Sequence, residues 1–204
     1  MLTYEREKEK EGYKLIAGMD EAGRGPLAGS VYTAMVIMPL SEDKIIEGVN
    51  DSKKLTPKKR DELFEKIKQR AIAYVICPVD EKTIDEINIL EATRLGMKKC
   101  YDEISVKPDY CLVDYVNGLI LDCPFETIIK GDAKSYSVAC ASILAKVARD
   151  KYMEEIDKKF PMYQFAKHKG YGTKLHYEML KEYGISEVHR KSFLKNLEEH
   201  KWKK

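Results

Sequence analysis

Three features of this sequence lead to a mixed α/β sheet flanked by helices. Five apolar runs of strand length recur, at 14–19, 30–38, 71–79, 109–116 and 125–130. The first two are joined by a glycine-rich stretch of about ten residues, 20–29, which suits an antiparallel hairpin. The later runs alternate with segments of helical periodicity, the order expected of strand–helix units in a mixed sheet.

The elements follow in chain order. Residues 1–14 are charged and lack the apolar core of a signal peptide. Leu15 to Met19 form the first strand and Val31 to Met38 the second. A helix starts at Thr56-Pro57, an N-cap followed by proline at the first helical position, with Leu63, Ile67 and Ala71 about one turn apart. A second helix spans Thr83 to Ile104, with Ile87, Leu90, Met97, Tyr101 and Ile104 near one face. The third, Ser137 to Phe160, carries Ala141, Ala145, Ala148, Tyr152 and Ile156 on one stripe. Its alanines predict close packing on the sheet. A further helix runs from Thr173 to Tyr183 and is stopped by Gly184. The charged tail beyond Ile185 is expected to form a last helix packing through Phe193 and Leu197.

Length and composition set the bounds. At 204 residues and 44% apolar, the chain can fill one core, with no repeat, no linker and no boundary before about residue 160. The longest apolar run, Val31 to Leu40, is half of the roughly 20 residues a membrane helix needs. The five cysteines (77, 100, 111, 123 and 140) form no CxxC pair, as expected of reduced, buried thiols in a cytoplasmic protein. Net charge is +2 from 36 basic and 34 acidic residues, too balanced to name a nucleic-acid partner. The basic residues nonetheless cluster: Lys53, Lys54, Lys58, Lys59 and Arg60; Lys167, His168 and Lys169; Arg190 and Lys191. Around an acidic centre, such clusters would make a phosphate-tracking surface.

Four acids could supply that centre. Asp20 and Glu21 close the first strand, Asp114 stands inside the apolar run at 111–116, and Asp132 follows the strand at 125–130. An unpaired buried carboxylate is costly, so Asp114 needs a lysine, a backbone donor or a metal as partner. Asp132 also suits a helix N-terminus. Hard divalent ions take several oxygen ligands, and separate strand ends can converge to supply them. Neighbours on a regular strand point to opposite faces, so Asp20 and Glu21 can share one site only if the strand ends or distorts there. Gly23-Arg24-Gly25 matches neither the P-loop nor the dinucleotide-binding pattern. It is a tight turn, or a backbone placed close to a phosphate-bearing ligand. Lys167 to Thr173 reads as an exposed basic loop, where Tyr171 could stack on a base or sugar. The histidines at 168, 176, 189 and 200 form no zinc pattern, and no GxSxG nucleophile is present.

Six ordered blocks carry a resemblance: DEAGRGPLAG (20–29), DSKKL (51–55), LVDYV (112–116), GDAKSYSVACASILAKVARD (131–150), HKGYGT (168–173) and HRKSF (189–193). Together they closely resemble the type 2 ribonuclease H family, ribonuclease HII, over about residues 14–193. One departure is Tyr115, where some members carry glycine.

The resemblance implies an RNase H-like fold with a C-terminal helical extension. The whole of 1–204 would be one catalytic domain, with about 161–204 a helical region packed on it. It also implies an endonuclease acting on RNA–DNA hybrids and on DNA duplexes containing ribonucleotides. By the same resemblance, Asp20, Glu21, Asp114 and Asp132 are the catalytic acids and ligands of Mn²⁺ or Mg²⁺. Gly23, Arg24 and Gly25 read the 2′-hydroxyl, Tyr171 senses the junction to the next deoxynucleotide, and Lys53 contacts phosphate. No membrane association is expected, and the chain is expected to be a monomer. Rival readings are a metal-free ribonuclease with histidine acid and base, a related nuclease cutting all-DNA substrates, and a non-catalytic hybrid-binding protein.

Overall fold

The structure is a computed structural model and describes residues 1–195, so the expected packing through Leu197 lies outside the described residues. The chain opens with a helix, α1 (Thr3–Lys10). Two strands follow, β1 (Ile16–Ala22) and β2 (Val31–Ile37), then α2 (Pro57–Arg70). Next come β3 (Ala73–Val79), α3 (Glu81–Glu103), β4 (Tyr110–Asp114) and β5 (Phe125–Ile128). The rest is helical: α4 (Tyr136–Lys159), α5 (Phe165–His168) and α6 (Lys174–Tyr183).

The five strands form one mixed sheet in the order β3-β2-β1-β4-β5. β2 is antiparallel to both β1 and β3, while β1, β4 and β5 run parallel. Side-chain alternation divides the core in two. Ile16, Ala34, Val36 and Leu112 meet α2 and α4 on one face, through Leu63, Ile67, Ala141 and Leu144. Ala17, Met19, Met35 and Val113 meet Met97, Cys100 and Tyr101 of α3 on the other. Gly18 permits the closest approach: a Cβ there would collide with the backbone of Ser137 and Val138 at the start of α4. The alanine stripe of α4 therefore lies against β1, as its small side chains predict.

Local signals explain the helix starts. Thr56, Asp80, Ser135 and Thr173 each accept a backbone N–H three residues on. α3 is kinked at Asn88, whose φ of 70° breaks the helical path. α1 was not expected from the sequence. Its Glu5 is fully buried and accepts hydrogen bonds from Ser135 Oγ (2.6 Å) and Ser137 N (2.8 Å). That carboxylate thus caps α4, where the helix dipole favours negative charge. The C-terminal segment forms a third cluster, in which Phe165, Leu180 and Val188 pack on Leu27, Met153 and Ile156. The expected last helix is, within the described residues, a single 3₁₀ turn at Lys191–Phe193. All five cysteines are unpaired, and four are buried.

Candidate active site

Parallel strands carry their C-terminal ends to one edge of a sheet, where ligands of open α/β folds bind. Here β1 carries Asp20 and Glu21 just before its end, β4 ends in Asp114, and β5 runs into the turn holding Asp132. All nine residues singled out from the sequence line one cleft of about 540 Å³ at that edge. They are Asp20, Glu21, Asp114 and Asp132, then Gly23, Arg24 and Gly25, and finally Lys53 and Tyr171.

Asp20, Glu21 and Asp114 each place a carboxylate oxygen within 4.8 Å of the others. Asp20 and Asp114 share the α4 face by alternation, but Glu21 belongs to the opposite face. The strand does not end at the acids, as the sequence suggested; β1 stays paired with β2 through Ala22↔Tyr32. What ends is the other side, since pairing with β4 stops at Met19↔Val113. The β4 side of Glu21 is therefore an open edge, and its longer side chain reaches round to its neighbours. Asp132 lines the same cleft outside that tight group of three. Its carboxylate lies 3.9 Å from Lys53 Nζ.

Backbone donors fix two of the acids. Asp20 Oδ1 accepts from Glu21 N at 2.7 Å, and Asp114 Oδ1 accepts from Gly131 N at 2.7 Å. The partner that the sequence required for Asp114 is thus in part a backbone amide. Burial pushes the Asp20 carboxyl well above its usual range, and the charges of Glu21 and Asp114 push it further. Burial likewise raises Glu21 to about 7, with Asp114 adding to the rise and Arg24 opposing it. Asp132 is raised by burial and by Asp51. Against the pull of burial, Asp132 and Asp20 hold the Lys53 ammonium above its ordinary value. Glu21 Oε2 is buried with no hydrogen-bond partner.

The glycine-rich loop, residues 23–30, is held from beneath by two arginines, Arg149, which the sequence did not mark as a site residue, and Arg190, which it placed in a surface cluster. Arg190 is fully buried, and its guanidinium donates to the carbonyls of Gly23 (2.7 Å), Arg24 (3.0 Å), Pro26 (2.9 Å) and Gly29 (2.6 Å). Arg149, also fully buried, donates to the carbonyls of Ala28, Ser30 and Lys169. Gly23, at φ +96°, leaves the space Arg149 occupies; a Cβ would strike its guanidinium. This corrects the reading of Arg190 as part of a phosphate-tracking surface. His168 is likewise buried, at 8% exposure, so the loop it shares with Lys167 and Lys169 is only partly a surface. The HRKSF block was the signal for Arg190, but a basic residue is ordinarily solvated.

Tyr171 is 42% exposed at the cleft rim, near Gly25 and under the Arg149 guanidinium, 5.7 Å from its ring centre. Among the described residues, no histidine lines the cleft.

The fold and the acidic edge define the class: an RNase H-like protein, with a mixed sheet that brings acids to the ends of its parallel strands. Residues 17–196 match the family model described as Ribonuclease HII. Ribonuclease HII of Caldicellulosiruptor saccharolyticus is 57% identical over 188 residues, covering 92% of this chain and 91% of that protein. The ribonuclease H2 structure from Pyrococcus horikoshii OT3 superposes with a TM-score of 0.78 at 28% identity, covering 91% of this chain and 98% of that one. The RNase HII of Archaeoglobus fulgidus, solved in complex with PCNA, gives 0.71 at 31% identity, covering 87% and 94%. The chain belongs to the ribonuclease HII family. It is accordingly a nuclease, a ribonuclease H that cleaves the RNA strand of RNA–DNA hybrids.

Proposed function

We propose that this enzyme also incises duplex DNA on the 5′ side of an embedded ribonucleotide, leaving 5′-phosphate and 3′-hydroxyl ends. Asp20, Glu21, Asp114 and Asp132 would hold two divalent cations, Mg²⁺ or Mn²⁺. The observation that carries this reading is the gathering of Asp20, Glu21 and Asp114 within 4.8 Å. Such a set is unfavourable without a cation, as the raised Asp20 and Glu21 carboxyls attest. An orphaned Glu21 oxygen and an all-carboxylate donor set suit a hard ion. When bound, a pair of such ions activates water, neutralises the phosphate and assists the leaving oxygen.

The chain's own residues position the rest. Asp20 and Asp114 are oriented by backbone amides, so their oxygens are set before substrate arrives. Lys53, at 82% side-chain exposure, stands at the cleft mouth to meet a phosphate. In a trans peptide, C=O and N–H point opposite ways. Arg190 draws the Gly23 and Arg24 carbonyls toward itself, so the Arg24 and Gly25 amides face away from it. Those amides are suited to bond a 2′-hydroxyl, the group that separates RNA from DNA. A site built for that hydroxyl rejects substrates lacking it, because its polar groups are then left unpaired. Tyr171 offers its ring to the adjoining sugar.

The test is cleavage of a hybrid and of a single-ribonucleotide duplex by Asp20→Asn and Asp114→Asn. Each variant should fold normally and lose activity by orders of magnitude. Near-full activity with ordinary metal dependence in either variant would defeat the assignment.

A further inference from the structure

Three histidines lie together beneath the Tyr171 loop, and the proposed reaction uses none of them. His176 and His189 are 0% and 1% exposed, and their Nε2 atoms are 3.0 Å apart. The rings of His176 and His168 stack with centres 4.3 Å apart. The hydrogen-bond partners assign the tautomers. Ser186 N donates to His189 Nδ1 at 2.9 Å, so the His189 proton sits on Nε2. The Tyr171 carbonyl, 2.9 Å from His176 Nδ1, can only accept, so the His176 proton sits on Nδ1. The bond between the rings must then run from His189 Nε2–H to the bare Nε2 of His176. The chain Ser186→His189→His176→Tyr171 has one direction and no spare proton. Burial lowers both imidazoles to about 4, which keeps the pair neutral.

The geometry points to His176, set by His189, as a positioning residue that fixes Tyr171 for substrate. The inference rests on the reading of Tyr171 as a substrate contact. Its last bond ends on the Tyr171 carbonyl, which also accepts from Thr173 N at 2.8 Å, while the Tyr171 N–H is held by the His168 carbonyl at 2.9 Å. His168 is itself fixed, with Nε2 on the Tyr163 carbonyl and Nδ1 accepting from Gly170 N. Both sides of one residue are thus pinned by the cluster, and the Tyr171 ring projects from it to the cleft rim. Burying three polar rings is costly unless every nitrogen is satisfied. An apolar core could support the same helices, but it would leave the Tyr171 carbonyl to the Thr173 amide alone.

Two amide substitutions at position 176 separate positioning from packing. In His176→Asn the amide takes the place of Nδ1 and keeps the bond to Tyr171. In His176→Gln it takes the place of Nε2, keeping His189 and losing Tyr171. The readout is kcat and KM on a single-ribonucleotide duplex, taken below the unfolding range of both variants. His176→Asn should stay near the wild type, whereas His176→Gln should lose kcat/KM by about tenfold or more. The Gln loss should vanish in a Tyr171→Ala background, since the residue being positioned is gone. Equal losses in the two variants, no loss in either, or a Gln loss that adds fully to Tyr171→Ala would overturn the relay. Wild-type cleavage by Tyr171→Ala would instead remove the reading of Tyr171, and the relay with it. Independently of any variant, nitrogen-15 spectra of the imidazoles should show Nδ1–H on His176 and Nε2–H on His189. The reverse assignment also refutes the proposal.

Discussion

Replacing Glu21 by glutamine should stabilise the metal-free protein while abolishing cleavage. The Glu21 carboxyl is raised from 4.5 to about 7, chiefly by burial. Its side chain is only 12% exposed, so solvent screening takes little from that shift. Unfolded, the group ionises near its ordinary value; folded, it keeps its proton until about pH 7. The wild type therefore loses stability as pH rises through that window, and the loss is complete above it, at about 3 kcal/mol. Glutamine carries no charge to bury, and the Arg24 pair it forfeits, 3.7 Å away, is already counted in that shift, which Arg24 opposes. The net gain is about 3 kcal/mol, or about 7 °C in Tm. Thermal unfolding in EDTA at pH 8 and pH 4.5 reads it: a gain at pH 8 and little difference at pH 4.5. Saturating Mn²⁺ should reverse the order, because only the wild type keeps its full ligand set, and an ion at a thousand times its Kd adds about 4.1 kcal/mol. No gain at pH 8, or the same gain at both pH values, would refute the electrostatic argument.

Further outcomes follow from the scaffold. Arg190→Ala strands four loop carbonyls, those of Gly23, Arg24, Pro26 and Gly29, and should cost about 4 kcal/mol in urea unfolding. Arg190→Lys should rescue little, because one ammonium cannot span a fork-shaped site. Both variants should also lose cleavage, since the loop they release lines the cleft. His176 and His189 hold folded values near 4, below their ordinary 6.5. The unfolded chain then takes up protons first, so stability is unaffected above pH 6.5 and falls as pH drops from 6.5 to 4. Urea midpoints between pH 7.5 and 4.5 should therefore decline less steeply in His176→Asn than in the wild type.

The sequence carried most of the fold, because its signals are local. Thr56-Pro57 and Gly184 mark helix ends through backbone chemistry that needs no tertiary partner. The alanines of α4 told of a close sheet before any sheet was seen. α1 was illegible because its buried residue is a glutamate, Glu5, whose value lies in capping a helix some 130 positions away. Among the site residues, Asp114 stood out as a charge in an apolar run. Glu21 posed a stereochemical problem that alternation alone could not solve; the answer lay in the pairing of β4, which stops one residue short of the acids. Arg149 and Arg190 were hidden for the opposite reason. A basic residue in a basic stretch looks solvated, and only the folded loop supplies the carbonyls that make its burial tolerable.

The proposed function stands or falls on metal-dependent incision directed by a ribonucleotide. Its most direct test is mapping the ends produced from a DNA duplex with one ribonucleotide in one strand, beside the all-DNA duplex, in Mg²⁺, Mn²⁺ and EDTA. A single cut on the 5′ side of the ribonucleotide is predicted, with 5′-phosphate and 3′-hydroxyl ends, only when a divalent ion is present and never in the all-DNA duplex. Cyclic-phosphate ends, cleavage in EDTA, or equal cutting of the all-DNA duplex would contradict it.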